Sequence, residues 1–282
     1  MWPREQRVSE VLRIGALAAE RWAETPARRG WSSQGGLALV SRHEFAANER
    51  LSPEVLGAAV LALLSHGSKP SGVTVVIESA WMPLMLVDTG GALWSLSQVE
   101  HLVRHQMMAL YADGLTTAQR WELRVAHRIG DRHALGHALA PEVKQALMAA
   151  AAQADVRFTA MLPAWSWGWA RFARARRAAA WWLWPEQDRS LLSRIEARQL
   201  VGLHTGLPVL ADAEGVHQAV SAESARLGVP ADPAAVMGAT WLPQPPPGGQ
   251  LPNAPTGWVS MAAPSVDTAV SPKAVPRAEV AP

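Results

Sequence analysis

Along this chain, short apolar segments that read as strands keep being followed by stretches of helical period. That recurrence limits the possible fold more than any single residue does. The segment 36–45 (GLALVSRHEF) is a strand signal. After it come Ser52 as N-cap, Pro53 at the first helical position, and Leu56, Ala59, Val60 and Leu63 on one helical face. Two apolar runs, 73–79 and 81–90, surround a tight connection. They lead to a helix whose stripe is Val99, Leu102, Val103, Met107 and Leu110, opened by a Ser97/Glu100 capping box. WELRVAHRI and HALGHALA then form a hairpin pattern around a Gly-Asp-Arg turn, before a helix that begins at Pro141. RFTAMLPAW reads as a further strand. AAAWWLWPEQ and LLSRIEARQLVGLH read as a last pair of extended segments, with a helix open as the alternative for the second. Residues 213–227 form the final helix, ended by Gly228. Strand pairs backed by helices predict an α/β fold, one twisted mixed sheet flanked by helices, and exclude a bundle, a solenoid or a β-sandwich.

The ends of the chain read differently from its middle. Residues 1–34 are expected to be a helical extension, with Val8, Val11, Leu12 and Ala16 on one face. Residues 243–282 are rich in Pro, Ala, Ser and Val without a period, the composition of a disordered tail. The folded domain is therefore expected at 35–242, with two subdomain-like halves at about 35–115 and 116–242. The absence of cysteine removes disulfides, thiolate metal sites and thiol nucleophiles together. No secretory h-region and no apolar run of transmembrane length is present, so a cytoplasmic protein is expected. Arginine far outnumbers lysine, and fourteen tryptophans stand against one tyrosine. That is the codon bias of a GC-rich bacterial genome, so part of the tryptophan excess is coding drift.

In this order the segments resemble a family, the cytoplasmic actin-like proteins of type IV pilus and type II secretion assembly (the PilM and GspL type). The residues that carry the likeness are Thr74–Glu78, an aromatic just beyond at Trp81, the Trp121–Arg124 strand, the small-residue helix at 146–152, and the strand ending at Pro163. The resemblance spans about residues 36–205. It implies a ribonuclease-H-like, actin-like fold and a structural role, a cytoplasmic assembly platform that binds inner-membrane partners. Such a partner would offer a short cytoplasmic peptide to a groove or sheet edge. Some relatives bind ATP and others have lost it, so the resemblance leaves ATP with Mg²⁺ open.

Several residues are candidates for chemistry. Asp88-Thr89-Gly90-Gly91, with Ser95 beyond, has the form of an actin-like phosphate loop, in which backbone N–H groups approach phosphate and the Asp holds Mg²⁺ through water. The same residues suit an ordinary turn, and no second Asp-x-Gly stands in the folded region. On that motif the alternative function is a nucleotide-binding ATPase. His101 and His105, like His133 and His137, are spaced four apart, but no H-E-x-x-H pattern or third ligand accompanies them, and no metal site is assigned. The segment 165–189 mixes six tryptophans with arginines, which keeps single-stranded nucleic-acid binding as a second alternative through Arg174, Arg176 and Arg177. The near-balanced charge of the whole chain favours the tryptophans as architecture. Arg171, Arg174 and Trp181 are the candidate partner-binding residues. No Walker loop, G-x-G-x-x-G or G-x-S-x-G is present, so no catalytic residue is assigned.

Overall fold

The computed structural model describes residues 10–24, 36–67, 69–70, 72–110, 120–173, 179–210, 213–230, 236–240 and 258–260. They form three sheets rather than the single sheet expected. The first contains β1 (Glu10–Ile14), β2 (Ala18–Glu24), β3 (Leu37–Glu44), β4 (Val73–Ile77) and β8 (Phe158–Pro163), in the order β3-β2-β1-β4-β8. Strands β1, β2 and β3 form an antiparallel meander, and β4 and β8 then add in parallel. The second sheet repeats the plan with β9 (Trp181–Pro185), β10 (Ser190–Glu196), β11 (Gln199–Leu207), β12 (Val236–Thr240) and β13 (Trp258–Ser260), ordered β11-β10-β9-β12-β13. One unit is thus built twice. Strands β5 (Leu84–Asp88), β7 (His133–Leu139) and β6 (Glu122–Ala126) form a small antiparallel sheet of their own, with β5 against β11.

Residues 10–24 correct the helical reading of the N-terminal segment. They are the hairpin β1–β2, and β1 lies at the centre of the first sheet. All five residues of β1 are buried, Glu10 and Arg13 among them, so no alternation of apolar and polar residues marks it as a strand. A second correction separates 73–79 from 81–90. Strand β4 pairs with β1 and β8, while β5 leaves through Pro83 to pair with β7. A third divides LLSRIEARQLVGLH into β10 and β11, turned at Ala197 and Arg198 with φ of 48° and 68°. Two-residue hairpins of this geometry usually carry Asn or Gly, so Ala-Arg gave no warning. Of the tail, Trp258–Ser260 pair with β12 as a strand, and the remainder lies outside the described residues.

The helices cover the sheets. Helix α1 (Pro53–Ser65) is capped by Ser52 Oγ, which accepts from Val55 N at 3.3 Å, as the sequence predicts. Helices α1 and α3 (Pro141–Gln153) pack on one face of the first sheet, over Leu12, Ile14, Val73, Val75 and Ile77. Helix α2 (Leu96–Leu110) covers the small sheet with Val99, Val103 and Met107. Its capping box is Ser95 with Gln98, not Ser97 with Glu100: Ser95 N donates to Gln98 Oε1 at 2.9 Å and Gln98 N to Ser95 Oγ at 3.3 Å. Helix α5 (Ala213–Leu227) packs on the outer face of the second sheet. Among the described residues no helix is long and apolar enough to cross a membrane.

Between the two five-stranded sheets lies a shared core. Val11, Trp22, Leu37 and Val76 come from the first sheet, Trp182, Trp184, Leu191, Ile195 and Met237 from the second. Helix α4 (Ala164–Arg171) sits among them with Trp165 inward and stacked on Trp169 at 4.8 Å. Each buried tryptophan removes ~150–250 Å² from water, on the order of 4–6 kcal/mol. Gly168 lets α4 approach, because a Cβ there would fall 2.0 Å from Trp184 Cζ3. Five of the segment's six tryptophans line this core, and Trp181 faces the opposite side of β9.

Candidate functional site

Ligands of α/β sheets with parallel strands gather at the carboxyl ends of those strands. In the first sheet β1 ends at Ile14 beside the end of β4 at Ile77. Glu78 N donates to Ile14 O at 2.8 Å, so the pairing runs one residue further and sets Glu78 beside the β1–β2 turn. That turn is Gly15-Ala16-Leu17, closed by Gly15 N donating to Ala18 O at 3.0 Å. Trp81 Nε1 holds it from behind by donating to Gly15 O at 2.9 Å.

The corresponding turn of the second unit, Glu186-Gln187-Asp188-Arg189 between β9 and β10, meets it directly. Gln187 Oε1 accepts from Leu17 N at 2.8 Å and from Ala18 N at 2.7 Å, and Gln187 Nε2 donates to Ala18 O at 3.1 Å. Gln187 N donates to Glu78 Oε2 at 3.0 Å. Glu186 accepts from Ser79 N at 2.9 and 3.0 Å and also contacts Ser79 Oγ. Gly15 permits the meeting, since a Cβ on it would lie 2.2 Å from Gln187 Cδ.

Behind the turns is a buried charge network. Arg13 Nε donates to Glu78 Oε1 at 2.7 Å and Arg13 Nη1 to Glu20 Oε2 at 3.1 Å, while Arg42 Nη1 reaches Glu20 Oε1 at 3.0 Å. Two guanidinium groups thus balance the carboxylates of Glu20 and Glu78, and Glu186 is left over. Burial raises the pKa of Glu78, with Arg13 as the main opposing influence. At Glu186 burial, followed by the neighbouring Glu78, pushes the carboxyl up to about 8, so it keeps its proton at neutral pH.

Carboxylate oxygens of Glu78, Glu186 and Asp188 lie within 4.8 Å of one another, a donor set of the kind hard divalent cations take. Each is already engaged: Glu78 by Arg13 and Gln187, Glu186 by Ser79, and Asp188 by Arg189 at 2.6 Å. The N–H groups of Leu17 and Ala18 converge, as those of a phosphate-cradling turn do, but both donate to Gln187 Oε1. As folded here, those carboxyl groups and both N–H groups are engaged within the protein.

The sequence-derived candidates lie elsewhere. Asp88 ends β5 in the small sheet, where its carboxylate accepts from Gly90 N at 2.7 Å and from Arg132 Nη2 at 3.2 Å. Those contacts, the Gly90 N–H first, hold its pKa below the ordinary value. Thr89 bonds Asp131 O and Arg132 O, Gly90 and Gly91 take φ of 68° and 72°, and Ser95 caps α2. The motif is therefore built as a turn, away from the meeting of the two hairpins. His101 and His105 are exposed on α2. His133 and His137 share a face of β7, and burial lowers both. None of the four belongs to the acidic group found among the described residues.

Arg171 donates to Glu24 Oε1 at 3.0 Å and lies over Trp167, which leaves its side chain only 14% exposed. Trp181 is fully buried against α5 and offers no surface, a correction of its assignment to partner binding. It shares a strand face with Leu183, and α5 covers that face. Arg174, Arg176 and Arg177 lie outside the described residues. Arg13, Glu20 and Gln187 escaped the sequence reading altogether. The one signal near them was the Thr74–Glu78 strand with Trp81.

No family model matches this chain, and no curated protein matches it by sequence. Solved structures do match. A Bacteroides thetaiotaomicron protein of unknown function with an actin-like ATPase fold is 10% identical with a TM-score of 0.52, covering 85% of this chain and 84% of that one. A chain of the PilM–PilN type IV pilus biogenesis complex is 13% identical with a TM-score of 0.48 over 76% of this chain. This chain spans 65% of its length. The cytoplasmic domain of EpsL, an inner-membrane component of the type II secretion system of Vibrio cholerae, is 12% identical with a TM-score of 0.45, covering 91% and 90%. The likeness to the Bacteroides protein, together with the duplicated sheet order, identifies the fold as actin-like.

Proposed function

We propose that this protein is a non-catalytic cytoplasmic platform in the assembly of a bacterial type IV pilus or type II secretion machine. The observation that carries the non-catalytic part is the contact of the two hairpin turns. Gln187 takes up the Leu17 and Ala18 N–H groups at 2.8 and 2.7 Å, where a nucleotide-dependent relative would need them for phosphate. The assembly role rests on the sequence resemblance, whose residues fall on this fold in order: Thr74–Glu78 on and just beyond β4, Trp81 bracing the first turn, and Trp121–Arg124 on and before β6. A partner would be an inner-membrane protein that presents a short cytoplasmic peptide.

Two measurements test the proposal. Mg²⁺ with ATP is expected to leave the melting temperature of the native chain unchanged, and Asp88→Ala to melt like native. Stabilisation by Mg²⁺-ATP that Asp88→Ala abolishes would replace the platform with a nucleotide-dependent enzyme. Binding of cytoplasmic peptides from the inner-membrane proteins encoded beside this gene, followed by fluorescence anisotropy, is expected to saturate. Failure of every such peptide would remove the assembly role.

A further inference from the structure

We infer that Gln187 is an internal latch, whose bonds hold the two hairpin turns together and open as one with those of the adjoining Glu186. The inference rests on the contact of the two turns and not on the assembly role.

Four hydrogen bonds of Gln187 cross between the two units, three from its side chain and one from its backbone, over sequence separations of 109 to 170 residues. The amide suits the place because it must both accept and donate. Its oxygen accepts two convergent N–H groups, and its nitrogen returns a bond to Ala18 O. A carboxylate of the same length could not donate that bond, and would add charge beside Glu78, Glu186 and Asp188. Asparagine is one methylene short. The adjoining Glu186 grips Ser79, the second residue past β4. The two neighbours thus clip the β1–β2 turn and the residues just past β4. A further attachment between the units is the apolar core of Trp22, Trp165, Trp182 and Trp184, so a polar clip at the turns and an apolar seam behind it hold the units together.

Amide hydrogen exchange on the full chain tests the latch, because Ser79 N is held by Glu186 and not by the Gln187 side chain. In Gln187→Met, of equal length but without the amide, exchange at Leu17, Ala18 and Ser79 should accelerate together by about tenfold or more. Amides of the β5–β7 ladder should keep their native rates. Gly15→Ala should give the same pattern from the other side, since its Cβ would collide with Gln187. If Gln187→Met does not fold, Gly15→Ala carries the test, and Gln187→Asn is read with it. Acceleration confined to Leu17 and Ala18, with Ser79 still protected, would overturn the inference: Gln187 would then serve only its own two acceptor contacts. So would native rates at all three. Neither result bears on peptide capture, and failed capture leaves the latch standing.

Discussion

Strand β1 of the first unit reads EVLRI and strand β9 of the second reads WWLWP, and each is the strand around which its sheet is ordered. Both are buried almost throughout, yet they fill the same topological place by opposite means. The first uses ion pairs. Glu10 takes a bidentate grip from Arg21 at 2.6 and 3.0 Å, and Arg21 also donates to Leu63 O near the end of α1. Arg13 bridges Glu20 and Glu78. The second uses aromatic bulk: Trp181 and Leu183 face α5, while Trp182 and Trp184 face the shared core. Each solution has its own weakness. A paired charge becomes costly once its partner is gone, whereas the indole N–H groups of Trp181 and Trp182 find no acceptor among the described residues.

That contrast can be broken at its strongest point first. Arg13→Met leaves Glu20 without one of its two arginines and Glu78 without any. It is expected to cost ~3–5 kcal/mol in urea unfolding, the range for orphaning a buried charge. Replacing Glu78 as well, in Arg13→Met/Glu78→Gln, should restore part of the loss; an additive double variant would show that the pair does not act as a unit. A smaller effect is expected on the aromatic side. Gly168→Ala drives a methyl into Trp184 and should lose ~1–3 kcal/mol by overpacking. A neutral result there would mean that α4 and the tryptophan core yield more easily than their packing implies.

The gentlest test is a pH series. The folded pKa of Glu186 stands at about 8, above its ordinary value of 4.5, so the native state binds the proton more tightly than the unfolded chain does. The stabilisation this group contributes is complete below about 4.5 and is lost as the pH rises toward about 8. Glu78, also raised by burial, adds a slope of the same sign. Urea midpoints of the native protein should therefore fall between pH 5 and pH 8, about the window those values set. In Glu186→Gln the decline should be shallower. An unchanged slope in that variant would assign the pH dependence to other groups.

Much of the fold was legible because it depended on local signals. Ser52 with Pro53, the apolar stripe of α1, and the alternation of Trp121, Leu123 and Val125 each act within a few residues. Where a strand was buried on both faces, as in β1, or turned on Ala197-Arg198, the local signal was missing or misleading. The sequence reading placed its candidate site elsewhere for a related reason. Asp88–Gly91 carries the look of a phosphate loop in four adjacent residues. The residues that meet at the two hairpin turns, Arg13, Gly15, Glu78 and Gln187, are drawn from three separate stretches of chain.

Taken alone, the order of residues determined the α/β class, the Ser52 cap of α1 and the burial of the tryptophans, because propensity, periodicity and hydrophobicity act over a turn or two of chain. The duplication into two five-stranded units and the meeting of their hairpin turns were decided only when the chain folded. A hydrogen bond between residues 170 apart leaves no periodic trace in either segment. Gly15 and Gln187 are unremarkable until the sheets bring the empty side of one against the amide of the other.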